Sequence, residues 1–132
     1  MKFDIKKLTL YKNLRYSLTA ENSDKNESLK IYTNAVMKNN MDPNKNDYLK
    51  EPRDCGFAVP LESRGQPDET VLPAGQYLFV QGNAATDDIT TAAEELWLES
   101  LWLETELEPK EVFVRNVMED GRTVFQIFRR IL

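Results

Sequence analysis

The sequence predicts an α+β domain in which a βαββ unit occurs twice, as two halves with pseudo-twofold symmetry and a cleft between them. Three observations carry this. Residues 10–23 lie without gaps on residues 71–84 at a constant offset of 61, which sets Tyr16 on Tyr77 and Asn22 on Asn83. Each of these segments reads as a strand that ends in a polar turn, and each runs on into a stretch at helical spacing, Asn26 to Met37 and Asp87 to Leu107. Both copies then continue into short apolar runs of strand type, Cys55 to Leu61 and Glu111 to Met118. A chain of 132 residues is long enough for one core and too short for two. The halves, about residues 3–62 and 70–131, must therefore share a sheet or an interface within a single domain over residues 1–132.

The elements follow in order. Phe3, Ile5, Leu8, Leu10, Leu14, Tyr16 and Leu18 are mostly spaced by two, which predicts strand. The cluster Asn22 to Asn26 ends it. Within Glu27 to Met37, Leu29, Tyr32 and Val36 fall on one face and predict a short amphipathic helix, closed before Pro43. Residues 47–50 predict a brief strand and Gly56 to Leu61 a better one, and Glu62 to Glu69, with Gly65 and Pro67, connects the halves. The second copy opens with a strand over Thr70 to Gln81. Thr86 or Asp87 can cap the helix that follows, and Asp88 sits favourably near its positive end. In that helix Ile89, Ala92, Ala93, Leu96, Leu103 and Leu107 point toward a sheet, whereas Leu98 and Trp102 point the opposite way. Asp120-Gly121 signals a hairpin turn, so Val112 to Met118 and Thr123 to Arg130 should pair antiparallel.

Composition narrows the chemistry. The chain has no histidine, so Ser-His-Asp and Cys-His couples and histidine-ligated zinc are excluded, and any catalysis would run on carboxylates, tyrosine or lysine. No metal and no cofactor are expected. The single cysteine, Cys55, has no partner for an intrachain disulfide and reads as a small buried strand residue. Net charge is −5, unevenly spread: residues 1–50 hold ten Lys/Arg against six Asp/Glu, and residues 87–111 hold nine Asp/Glu against one lysine. The acidic second helix argues against direct nucleic acid binding, which needs a basic stripe. No apolar run reaches the roughly 18 residues of a membrane span. The N-terminus, Met-Lys-Phe-Asp-Ile-Lys-Lys, lacks the apolar core of a signal peptide, so a cytoplasmic location is expected, with no membrane partner.

Leu72-Pro73-Ala74-Gly75-Gln76-Tyr77-Leu78-Phe79, the long helix after it, and the terminal strand Val124-Phe125-Gln126-Ile127-Phe128 resemble the GyrI-like small-molecule-binding domain. This is the effector-binding domain also found in drug-sensing transcription regulators. The resemblance spans nearly the whole chain. It implies duplicated βαββ units forming an antiparallel sheet around a central groove, with two helices and a small aromatic or cationic organic ligand. It further implies a role as a sensor or effector-binding domain in transcription regulation or drug response, with a DNA-binding domain in the same or another chain as partner. Two alternatives come with it: a regulatory inhibitor of gyrase-inhibitor type, and a hydrolase of strained cyclopropane-containing natural products. Many members carry a glutamate in the terminal strand and often a proline a few residues later, where this chain has Gln126 and Arg130. An amide offers a dipole where a carboxylate would attract a cation or take a proton, so binding of a largely apolar ligand without chemistry is the expectation.

The candidate ligand-binding residues are Tyr16, Tyr48, Phe57, Glu62, Trp97, Gln126 and Phe128. If Phe125 and Ile127 pack under the helices, strand alternation turns Gln126 and Phe128 to the groove. Tyr16 reads either as a core residue with a wet hydroxyl or as a ligand contact, Trp97 as packing at the border of the core face, and Glu62 as an alternative groove carboxylate. Leu98, Leu101 and Trp102 form an apolar surface on a helix whose core face is already accounted for, and predict a docking or homodimer interface.

Overall fold

The computed structural model describes residues 3–34, 48–65 and 67–132. Eight strands occur among them: β1 (Lys6–Leu10), β2 (Leu14–Ser17), β3 (Asp24–Thr33), β4 (Lys50–Ala58), β5 (Thr70–Leu72), β6 (Gly75–Asn83), β7 (Glu111–Glu119) and β8 (Arg122–Arg130). One α-helix, α1 (Ile89–Trp102), follows β6, and a single 3-10 turn spans Leu61–Ser63. The class is α+β, dominated by antiparallel sheet. No helix of the described residues is long and apolar enough to cross a membrane.

The strand order is β1-β6-β8-β7-β3-β4-β2-β5. β1 and β2 are successive parts of one bent segment, and so are β5 and β6. Leu10 pairs with Gly75 and Leu14 with Leu72, so the two bent segments run side by side. β2 also pairs with β4, Tyr16 opposite Ala58. The sheet curls until this circuit of hydrogen-bonded strands returns on itself. One close approach makes that possible: at Gly56 (φ +84) an added Cβ would lie 2.0 Å from the Ser17 carbonyl oxygen, so only glycine lets β4 lie against β2 there.

Alternation sorts each strand between two cores. On the convex side Leu78, Val80, Val112, Val114, Phe125 and Ile127 pack against Ala92, Ala93 and Leu96 of α1. Full burial of a leucine such as Leu96 contributes roughly 1.5–3 kcal/mol. On the concave side Tyr16, Leu29, Ile31, Cys55, Leu72, Tyr77, Phe79, Phe113 and Phe128 fill the curl. Phe79 and Phe128 meet edge to face at 5.0 Å, and Tyr77 meets Phe128 at 5.6 Å.

Several expectations need correction. The first predicted helix is strand β3, whose apolar residues alternate: Leu29 and Ile31 face the concave core and Tyr32 the convex one. Because Tyr32 is partly covered on the face opposite buried Leu29, the two mimic a helical i, i+3 pair. Tertiary pairing with β4 and β7 decides for strand. Val36 and Met37 lie outside the described residues, as do residues 35–47 generally. The described chain thus has one α-helix where two were expected.

The second helix starts at Ile89 with Asp88 as its cap, Oδ1 accepting from the Thr90 amide at 3.1 Å. It ends at Trp102 instead of reaching Leu107. Leu103 is the C-cap and is exposed, and buried Leu107 bridges Ile131 from the loop beyond. The predicted long strands are each broken, at residues 11–13 and at Pro73-Ala74, which is how they bend around the curl. The β7–β8 hairpin is as predicted, Glu119 pairing with Arg122 across Asp120 (φ 49) and Gly121 (φ 74), the two positive angles of a type I′ turn.

Candidate functional site

Strand register stacks the concave side chains in rows. Ile31, Phe113, Phe128 and Phe79 lie opposite one another along neighbouring strands, and beside them runs a row of Leu29, Arg115, Gln126 and Gln81. Glu27, Val117 and Val124 form the next row toward the mouth. An aromatic floor therefore gives way to a polar rim.

That rim is one hydrogen-bonded network. Arg115 donates from Nη2 to Glu27 Oε1 at 2.7 Å and from Nη1 to Gln126 Oε1 at 2.7 Å. Tyr16, fully buried, donates its hydroxyl to Glu27 Oε2 at 2.6 Å. Gln126 passes the chain on, Nε2 donating to Gln81 Oε1 at 3.2 Å. The Nε of Arg115 is buried without a partner among the described residues. The side chains of Glu27 and Arg115 are 18% and 23% exposed, so the pair sits at the border between core and solvent.

The electrostatics follow from this position. Burial alone would raise the Glu27 pKa, yet the hydrogen bonds from Arg115 and Tyr16 hold it below the ordinary carboxylate value. Burial lifts the Tyr16 hydroxyl well above its ordinary value, and donation to Glu27 adds to that. Burial would lower Arg115, but the bond to Glu27 raises it instead. The network at neutral pH is a matched −1/+1 pair with a neutral phenol and two amides.

The sequence-predicted site residues divide. Gln126 and Phe128 are on the concave face, as the burial of Phe125 and Ile127 against α1 requires, and Tyr16 is in the concave core with Phe128. Phe57 is not among them: it pairs with Ser17 and Ser28, on the face of β4 opposite Ala58 and its partner Tyr16, and stands half-buried there with the Lys25 ammonium 4.5 Å from its ring centroid. Trp97 and Tyr48 are not brought to this site. Both pack on the convex cluster, on the other side of the sheet from Gln126. Trp97 there covers Arg129, which is 2% exposed, its guanidinium 5.4 Å from the ring and donating to the Glu108 carbonyl at 2.9 Å. Burial, against the charge of Glu108, lowers the Arg129 pKa to about 10. Trp97 thereby clamps the helix on a buried cation. Glu62 is exposed on the 3-10 turn.

Sequence reasoning missed Glu27 and Arg115, the centre of the network. Arg115 was detectable as a charge in phase with Phe113 on an apolar strand. Glu27 was hidden by its assignment to a helix. At the other end of the concave side a recess of about 230 Å³ is lined by Ile31, Thr70, Pro73 and Phe113, with Arg53, Arg130, Glu108 and Glu111 around it. The carbonyl of Pro73, one of these residues, accepts from the buried Tyr77 hydroxyl at 2.5 Å.

No protein-family model matches this chain, and no curated protein matches it either.

Proposed function

We propose that this chain binds a small, largely apolar and uncharged organic molecule at the rim of its concave face, without chemistry on it, and works as a cytoplasmic sensor or effector-binding domain in transcription regulation or drug response. The observation that carries the reading is the continuous network Tyr16–Glu27–Arg115–Gln126–Gln81 beside an aromatic floor. Pockets take affinity from apolar walls and selectivity from a few placed polar groups. Here the two charges satisfy each other, so the surface offered is one of amide dipoles flanked by Val117 and Val124. A carboxylate kept ionised by Arg115 and Tyr16 is poorly matched to a general base at neutral pH, which weighs against the hydrolase alternative.

The GyrI-like resemblance and the duplication belong to this proposal. The pairing circuit is unchanged when β1–β2, β3 and β4 are exchanged with β5–β6, β7 and β8, which supports a pseudo-twofold origin. A strand where the resemblance implies the first helix is a departure from it.

The test is displacement of an environment-sensitive dye by neutral, cationic and anionic aromatic compounds of matched size. Neutral compounds should compete best, and Glu27→Gln, which leaves Arg115 uncompensated, should move the preference to anions. A preference for cations in the unmodified protein, competition unaffected by Glu27→Gln, or turnover of a bound compound would each overturn the proposal.

A further inference from the structure

We infer that the outer face of α1 is a docking surface for a basic amphipathic segment of another protein. Leu98, Leu101 and Trp102, spaced by three and four, lie on the side of the helix opposite buried Ala92, Ala93 and Leu96. They are 41%, 60% and 84% exposed, and the C-cap Leu103 adjoining them is 45% exposed. One exposed leucine needs no explanation, but three large apolar residues on one helix face, a tryptophan among them, mark a contact surface. Fold stability does not require it, since Ala92, Ala93 and Leu96 already bind the helix to the sheet.

Charge selects the occupant. Residues 87–109 contain eight Asp/Glu and no Lys or Arg. Glu94, Glu95, Glu99 and Glu104 precede, flank and follow the apolar residues on the helix. A second copy docking through the same face would bring these acids against their own counterparts, and an anionic lipid surface would be repelled in the same way. An apolar centre with an acidic rim complements a helix that carries Leu or Phe along one stripe and Lys or Arg beside it. Such a rim also speeds encounter with a basic partner and makes the interaction weaken with salt. The inference is independent of whether the concave face binds a small molecule.

The full chain is titrated with a Leu/Lys peptide of amphipathic helical pattern and, separately, with a scrambled peptide of identical composition, following binding by calorimetry and tryptophan emission. The patterned peptide should bind about tenfold or more tightly than the scramble, a ratio in line with loss of an aromatic anchor. Raising the salt concentration should weaken its binding. Trp102→Ala, and independently Leu98→Ser/Leu101→Ser, keep every charge and should abolish the difference between the peptides, with near-UV circular dichroism confirming that the fold is retained. Equal binding of the two peptides, or variants that bind the patterned peptide like the parent, would overturn the inference. So would sedimentation showing a stable dimer that Trp102→Ala dissociates, since the face would then belong to a second copy.

Discussion

Replacing Glu27 by alanine tests the network most directly, because it removes the shared acceptor of one buried and one half-buried donor. Tyr16, with no exposed surface, loses the partner of its hydroxyl, and Arg115 keeps its charge at a site where only 23% of its side chain meets solvent. Removing one partner of a fully buried ion pair costs about 3–5 kcal/mol. Discounting for the partial exposure of both groups brings Glu27→Ala to about 2–3 kcal/mol. At this chain length that is a fall in Tm of roughly 10 °C. Glu27→Gln retains an acceptor for Tyr16 and loses only the charge, so about half that cost is expected.

The dependence on pH has a fixed sign. The folded-state pKa of Glu27 lies below its ordinary value of 4.5, so its stabilising contribution is complete above that value and disappears as pH falls through the depressed folded value. Urea unfolding at pH 7 should therefore separate Glu27→Gln from the parent, and the gap should narrow below about pH 4. A variant within about 0.5 kcal/mol of the parent at pH 7, the range of an ordinary surface substitution, would refute the account of the network. A gap that stays constant on acidification, while both proteins remain folded, would refute its electrostatic part.

Two further outcomes are expected. Gly56→Ala forces a Cβ to within 2.0 Å of the Ser17 carbonyl carbon's oxygen and should cost roughly 3 kcal/mol or more in equilibrium unfolding, whereas Gly121→Ala, with a similar positive φ in open space, should cost only about 1–2 kcal/mol. Similar losses for the two would mean that the β2–β4 approach is not tight. The Cys55 thiol is 3% exposed and its pKa is raised by burial, so a thiol reagent at pH 8 should modify it only on unfolding; fast labelling of the folded chain would contradict that placement.

The sequence by itself determined what local chemistry dictates. Asp120-Gly121 can supply two positive φ angles, so the β7–β8 hairpin and its register were legible, and with them the placement of Gln126 and Phe128 on the face opposite Phe125 and Ile127. The α1 face that lacks a buried partner was legible too, because Leu98, Leu101 and Trp102 sit opposite a complete core stripe. Tertiary structure alone decided the state of residues 24–33. Their apolar residues suit either period, and only the sheet gives Leu29 and Ile31 a place in the concave core while Tyr32 packs partly buried against the other. The same applies to the site. Glu27 and Arg115 are 88 residues apart and acquire meaning only when β3 pairs with β7, since an ion pair depends on distance in space and leaves no periodic trace along the chain.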